Sequence, residues 1–526
     1  MNTKLVAAYA LLCLLVKCPT VPAASVSLIG SLGDGYKPIS QALEDEGLSV
    51  RVLDSVRESG PWGPGTLDEC DLTIVLPAEY PPELRRVLLD YAVGGGRLLV
   101  LLPERPVVTL SKFCGELGIP AVRQSMIPRG APGQYKGVCG HVEPFGRAVA
   151  GGWAGAPFFL YTGWRLVPPK GEHEVLARTT DRLSDGAWRE SGEPVIIRRK
   201  VGQGSATVAL DFVGPEHLLW DLSGESLYMF VNLARDEVGM SPAAGPPGRF
   251  AGYLPGADRR IRTRYRILIV PARYSFPAHP AVIARTLAER VREETGLILD
   301  VEVAPPVEPA AASDEYPHPY AFYADVRNRV EADLSECDML AVLTSDTLPA
   351  FNTDSRSYLG VWFSRRNGET GPYGAVIAGG SDEAPGAQWD PQARAWVAGE
   401  RKRTATLGVR GIVHALMHEF GHHIGFPDYV APPPHIMSGY YRDSRLEYCD
   451  LFKERLCAAM LSLAAAGLAD ADLDEGTRAE LERLLAIGRR HQLRGSPRSG
   501  MDAAVRVAGR LGLSAAGPAP GPPGAD

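Results

Sequence analysis

Cysteine is scarce in this chain, with eight residues in 526. Cys13 and Cys18 lie in the apolar N-terminal stretch. The other six divide three and three: Cys70, Cys114 and Cys139, then Cys337, Cys449 and Cys457. An odd number in each half is not a disulfide framework. Cys449 and Cys457 fall on one expected helix about 12 Å apart, too far to bridge. One disulfide in each half stays open, with no pairing assigned. A dominant charge is missing too: 55 Lys and Arg face 62 Asp and Glu, giving a net charge of −7 and a pI near 6.0. That balance offers no electrostatic grip on nucleic acid or an anionic membrane. Apolar runs of membrane length are absent as well. Leu5–Val16 is too short for a relaxed span, and no later stretch qualifies. No long-period repeat is visible.

What is present begins with a leader. Lys4, the apolar run and Thr20–Ala24 (TVPAA) have the form of a secretory signal cut near Ala23 or Ala24, an uncleaved anchor being the alternative. The expectation is a secreted or extracytoplasmic protein with no stable membrane span after cleavage. At 45% hydrophobic and 22% charged residues, the rest is globular and long enough for two or three domains.

Residues 25–235 read as alternating strands and helices. Strands are expected at Ser25–Ile29, Leu48–Leu53, Cys70–Leu76 and Arg97–Leu102, with helices at Pro38–Glu46 and Pro81–Ala92. The alternation predicts a doubly wound, flavodoxin-like parallel sheet. Gly30–Gly35 reads as a plain βα loop, not a dinucleotide fingerprint. Gly192–Phe212 reads as a hairpin across Gly202–Gly204, and Ser223–Arg235 as a closing helix with Ser223 as a candidate N-cap. The strings DLTIVLP (71–77) and YAVGGGRLLVL (91–101) resemble class I glutamine amidotransferases. Active members of that family carry a Cys on a sharp strand-to-helix elbow. Here the fourth strand runs into Pro103-Glu104-Arg105-Pro106, and Cys114 falls within a helix, so the resemblance implies a catalytically silent domain.

The composition shifts to Gly, Pro and Ala across 236–262, which reads as a linker. A second domain over 263–468 follows, with strands at Arg266–Val270, Leu297–Val303 and Met339–Thr344. Helices are expected at Pro280–Glu294, at 322–335 and at Leu446–Ala466, with a proline-rich surface loop at Pro305–Tyr320. An accessory helix (469–495, with Leu481, Leu484, Leu485 and Ile487 on its apolar side) and a largely disordered tail (496–526) complete the chain.

The densest chemistry lies at 418–428, HEFGHHIGFPD. On a helix His418 and His422 are one turn apart and project to one side, as two ligands of a single zinc ion must. Glu419 is set beside them as a general base for water. Gly425 can take φ > 0 and reverse the chain, bringing Asp428 round as a third ligand and leaving one coordination position open. Leu407, Ile412, Val413, Leu416, Met417 and Phe420 recur at helical spacing, with Thr404 or Thr406 available as N-cap. His435 competes with Asp428 for the third ligand position. His414 reads as a supporting or packing residue, and His423, facing away from the pair, as a surface or supporting one. Glu447 would give a different ligand arrangement, against which Gly425 and Met437 argue.

Residues 264–460 resemble archaemetzincins, in the HExxHxxG motif and in the strands RILIV (266–270) and CDMLAVLT (337–344). Residues 351–378 resemble that family's edge region, and the stretch from Leu446 to Cys457 its C-terminal helix. IMSGY (436–440) resembles the Met-turn, with Met437 as a structural floor. The resemblance implies a metzincin-type α+β zinc protease with C-terminal helices, peptide or protein substrates, and one catalytic zinc. It implies Tyr440 (or Tyr441) as a helper at the oxyanion, although Tyr440 stands one residue later than in metzincins that use such a Tyr. The family's third ligand is a His followed by Cys; this chain has Asp428 and Tyr429 there, a substitution resembling the snapalysin-type metzincins. The family's structural zinc uses four cysteines, which Tyr429, His435, Cys457 and Met460 do not reproduce, so a second zinc is not expected. The expected function is zinc-dependent peptide hydrolysis. The alternative is a secreted zinc- or partner-binding protein that keeps the fold without turnover. Oligomeric state and substrate specificity are left open.

Overall fold

The computed structural model describes residues 23–30, 36–54, 64–67, 69–103, 107–123, 138–142, 158–160, 164–179, 181–182, 188–189, 193–219, 221–254, 263–273, 275–276, 279–312, 315–344, 360–363, 372–378, 387–390, 392–393, 395–398, 408–426, 436–438 and 446–467, with scattered positions between 478 and 513. It is a mixed α/β chain built on two main sheets.

The first sheet starts with β1 (Ser25–Gly30), β2 (Ser49–Asp54), β3 (Leu72–Val75) and β4 (Arg97–Leu102), all parallel. β5 (Val138–Val142), β6 (Phe158–Leu160), β7 (Glu174–Thr179), β8 (Pro194–Val201) and β9 (Gly204–Leu210) extend it to nine strands in the order β2-β1-β3-β4-β9-β8-β7-β5-β6. β9 is parallel to β4, and the remaining additions are antiparallel. β3 and β4 are near-continuous apolar runs because helices cover both faces of a parallel sheet. α1 (Lys37–Asp45), α2 (Pro82–Val93) and α3 (Val108–Glu116) supply that cover. The β8–β9 hairpin turns at Gly202 (φ +59°), where a Cβ would lie 2.5 Å from the Val93 carbonyl oxygen, so only glycine fits against the end of α2.

α4 (Glu225–Glu237) closes this part of the chain. Ser223, the N-cap candidate from sequence, does not cap its N-terminus. Gly224 stands at the N-cap with φ +89°, and the Asp221 carboxylate accepts N–H bonds from Gly224, Glu225 and Ser226 at 3.0, 3.0 and 2.9 Å. A carboxylate facing three orphan donors outcompetes a hydroxyl. Part of the Pro/Gly-rich segment that follows is folded, residues 255–262 lying outside the described residues. Asp236 and Glu237 finish α4, and Pro247–Tyr253 form a 3-10 helix against α1 and α4. Phe250 packs edge-on to Tyr228 with ring centroids 5.7 Å apart. Prolines exclude a longer α-helix there, but not one tight turn anchored by an aromatic ring.

The second sheet contains β10 (Arg264–Pro271), β11 (Ile298–Val303), β12 (Met339–Thr344), β13 (Gly360–Phe363) and β14 (Tyr373–Ala378), ordered β11-β10-β12-β14-β13. Four strands are parallel, and the edge strand β13 runs antiparallel to β14. Side chains alternate between two layers. Ile267, Ile269, Met339, Ala341, Ala375 and Ile377 join the main core beneath α5 (Pro280–Thr295) and the histidine-bearing α7 (Val409–His423). Leu268, Val270, Leu340, Val342 and Val376 meet α6 (Pro319–Arg329) on the other face. α6 stops at Arg329 rather than reaching 335. Val330 is extended, and Asp333 accepts the Ser335 N–H at 2.9 Å, a local turn that competes with helix. α8 (Asp450–Gly467) starts four residues later than the pattern suggested, because Tyr448 is drawn across to donate to the Met417 carbonyl at 2.6 Å. In the accessory segment Leu481 and Leu485, one turn apart, are buried. One continuous apolar core runs through both sheets and α8.

Candidate metal centre

α7 buries Ile412, Val413, Leu416, Met417 and Phe420 against the second sheet and α5, following the 3.6-residue period. Gly408 occupies its N-cap with no side-chain cap; Thr404 and Thr406 lie outside the described residues. The apolar stripe fixes the rotation of the helix, and rotation decides where the polar side chains go.

His418 and His422 are half-buried, with ring centroids 4.6 Å apart and planes at 84°. Nδ1 of His418 lies 2.9 Å from the Ile436 carbonyl oxygen, and Nδ1 of His422 lies 2.8 Å from that of Phe426. A carbonyl can only accept, so both Nδ1 atoms carry the proton, and in the neutral rings both Nε2 atoms carry the lone pair. This is the tautomer in which an imidazole ligates a metal through Nε2, with its other nitrogen held by an outer partner.

Each partner carbonyl is itself anchored. Gly425 has φ +90°, Phe426 N donates to Gly421 O at 2.7 Å, and Gly425 N donates to His422 O at 3.1 Å. These two bonds form a Schellman ending, the chain reversal expected at Gly425. Phe426 then stacks on Phe452 at 4.6 Å and meets Tyr448 edge-on at 5.3 Å. Ile436 is tied by its own N–H to Glu447 O at 3.0 Å.

Met437 is fully buried under the helix. A Cβ at Gly421, which sits between the two histidines, would lie 2.4 Å from Met437 Sδ and 3.2 Å from Tyr448 Cε1. The glycine therefore admits the thioether as a floor. Lys453 and Glu294 join α8 to α5 beside this floor through a buried 2.6 Å ion pair.

Glu419 is buried and faces the edge strand. A Cβ at Gly360 would lie 2.5 Å from Glu419 Oε1, so the bare backbone of β13 makes room for the carboxylate. Nothing in the sequence marks Gly360, because the contact spans 59 residues and depends on sheet order. His414, one turn before His418, is buried, and its pKa is pulled down to about 4 by burial, then by the charges of His418 and Arg410. It is a neutral imidazole. His423 points away from the pair, as expected, but it is not at the surface. It is boxed by Tyr373, Tyr265 and Phe420 at 5.0, 5.5 and 6.0 Å.

Asp428, His435, Tyr440 and Tyr441 lie outside the described residues. Among the described residues no three His, Cys, Asp or Glu side chains converge on one point; what is brought together is the two-histidine half of a site with Glu419 beside it. Glu447 is exposed. Cys457 and Met460 are buried within α8.

The carboxyl ends of β1 and β3, where doubly wound sheets take ligands, are filled. The Tyr80 hydroxyl lies 2.8 Å from Ile29 O and 2.5 Å from Leu76 O, bridging the two strands. Cys114 is fully buried in α3, and burial pushes its thiol well up. Cys70, Cys114, Cys337, Cys449 and Cys457 are free thiols. No helix among the described residues is long and apolar enough to cross a membrane.

No family model matches the chain, and no curated protein does. Solved structures give distant likenesses. An exo-β-1,4-mannosidase from Opitutaceae bacterium strain TAV5 is 14% identical over 41% of this chain, with a TM-score of 0.25, and the match spans only 34% of that enzyme. A glutamine amidotransferase from Thermotoga maritima is 12% identical over 41% of this chain and 98% of its own length, with a TM-score of 0.29. A carbohydrate deacetylase is 11% identical over 54% of this chain and 43% of its own, also with a TM-score of 0.29. The amidotransferase likeness concerns the N-terminal half.

Proposed function

We propose that this chain is a secreted zinc-dependent peptidase, with its metal held by His418, His422 and a third ligand supplied by Asp428 or His435. The observation that carries the reading is the pair of Nδ1–carbonyl bonds, which turns both imidazoles to the ligating tautomer before any metal arrives. A mixed sheet with an antiparallel edge beside the histidine helix, a glycine chain reversal and a methionine floor support a metzincin-type arrangement. The chemistry zinc supplies when bound is Lewis acidity, enough to make a water nucleophilic near neutral pH.

Glu419 does the proton work in this reading. Buried against Gly360, it takes a proton from the attacking water and returns it to the leaving amine. The antiparallel edge strand lies beside it, and Tyr440 is the candidate to steady the developing oxyanion. One experiment tests the assignment: zinc per chain by mass spectrometry, alongside cleavage of a peptide library. Wild type should bind one zinc and cut peptides. Glu419→Gln should keep the zinc and lose on the order of 10²–10⁴ in kcat, and His418→Ala should lose the zinc. A zinc-loaded wild type that cuts nothing would turn the reading to a non-catalytic binding protein.

A further inference from the structure

The exit turn of the histidine helix is held by a residue from the N-terminal half of the chain. A Cβ at Gly425 would lie 2.6 Å from Leu222 Cδ2, so the leucine packs directly on the turn. Leu222 is buried and sits in the loop that enters α4.

That loop is held by hydrogen bonds and by close packing. The Asp221 carboxylate ties down three successive backbone N–H groups, and Glu225 accepts the Ser223 N–H at 3.0 Å. Gly224 is wedged against Phe250, where a Cβ would lie 2.7 Å from the phenylalanine Cβ. The loop is also fastened to α8. Burial and the neighbouring Glu225 push the Asp221 carboxyl well above the usual carboxylate range, and the buried Arg455 guanidinium of α8 pulls both acids the other way. Gly248 N donates to Ser462 Oγ at 2.7 Å, and a Cβ at Gly248 would lie 2.4 Å from Ser462 O. Leu222 is thus presented to Gly425 from a platform that cannot easily yield.

The turn it presses on does one chemical job. The Phe426 carbonyl receives the Nδ1–H of His422 and sets both its tautomer and its ring direction. We propose that Leu222 is a positioning residue for the metal centre: by filling the space beside Gly425 it keeps the Phe426 carbonyl in place under His422. The N-terminal unit then braces the turn beside the site. This inference rests on the zinc reading above.

The test uses the full chain and zinc alone, with affinity measured by competition against a chelator. Leu222→Ala should bind zinc about 10-fold more weakly, the lower end of what loss of an outer-shell partner costs. Leu222→Met should return to within about twofold of wild type, because it refills the space. Leu88→Ala, at a fully buried leucine of α2, should lower the unfolding midpoint yet leave zinc affinity unchanged, separating positioning from general destabilisation. Should Leu222→Ala not fold, Leu222→Val carries the same comparison with a smaller expected loss. A folded Leu222→Ala or Leu222→Val protein with wild-type zinc affinity overturns the proposal. A wild type that binds no zinc through His418 and His422 overturns the metal reading itself, a different result on the same instrument.

Discussion

The two parallel sheets treat the carboxyl ends of their strands in opposite ways. In the first, Tyr80 fills the gap between β1 and β3, and its hydroxyl occupies two strand-end carbonyls. In the second, Gly360 of β13 pairs with Ile377 near the end of β14, and its missing Cβ leaves room for the Glu419 carboxylate. Strand order alone prepares such an end to receive a ligand; a single side chain decides whether it does. A phenol closes one, and a missing Cβ opens the other for a carboxylate. The histidine pair stands only beside the opened end.

The largest effect should come from closing the open end. Gly360→Val places carbon where the Glu419 carboxylate now sits, 2.5 Å from Oε1. If Glu419 is the base, kcat should fall on the order of 10²-fold, the cost of a misplaced catalytic group. Zinc affinity should stay near wild type, because neither histidine partner is touched. Steady-state kinetics beside a zinc titration separates the two. Loss of zinc together with activity would mean that the glycine serves the fold of the site, not the carboxylate.

Removing the Tyr80 hydroxyl from the closed end should cost stability and nothing else. Tyr80→Phe leaves the Ile29 and Leu76 carbonyls without their hydroxyl in a buried place. About 1–3 kcal/mol should be lost, read as a lower urea midpoint with an unchanged slope. Zinc affinity should not move. An accompanying change in zinc affinity would mean the two ends are energetically coupled, and the contrast between them would fail.

How much of this the sequence carried depends on the range of each contact. The histidine pair, the adjacent glutamate and the Gly425 reversal were legible because their chemistry is packed into eight residues of one helix and its ending. Parallel strands were legible from continuous apolar runs such as MLAVLT, buried at every position. Tyr80, Gly360 and Leu222 were not, since each matters through a partner brought near only by the completed fold. The packing of the Pro/Gly segment was hidden for a related reason. Composition excludes α-helix and strand, but whether a 3-10 turn packs depends on Phe250 finding Tyr228 and on the Ser462 backbone of α8. Gly224 took the N-cap position from Ser223, and Asp221 took the capping role, because a carboxylate can hold three donors from two residues before Ser223.

The smallest effect concerns Cys114, the thiol nearest in sequence to where an amidotransferase would keep its nucleophile. It is fully buried in α3 beside Leu110 and Phe113, and burial holds its proton tightly. A thiolate is needed both for nucleophilic attack and for alkylation. Native protein treated with a thiol reagent should therefore leave Cys114 unlabelled, as mass spectrometry of its peptide would report, with labelling appearing only on unfolding. Cys114→Ala should cost about 1 kcal/mol, a typical core truncation, and leave peptide cleavage as it was. Rapid labelling in the native state would overturn the idea that the first sheet has withdrawn this thiol into the core.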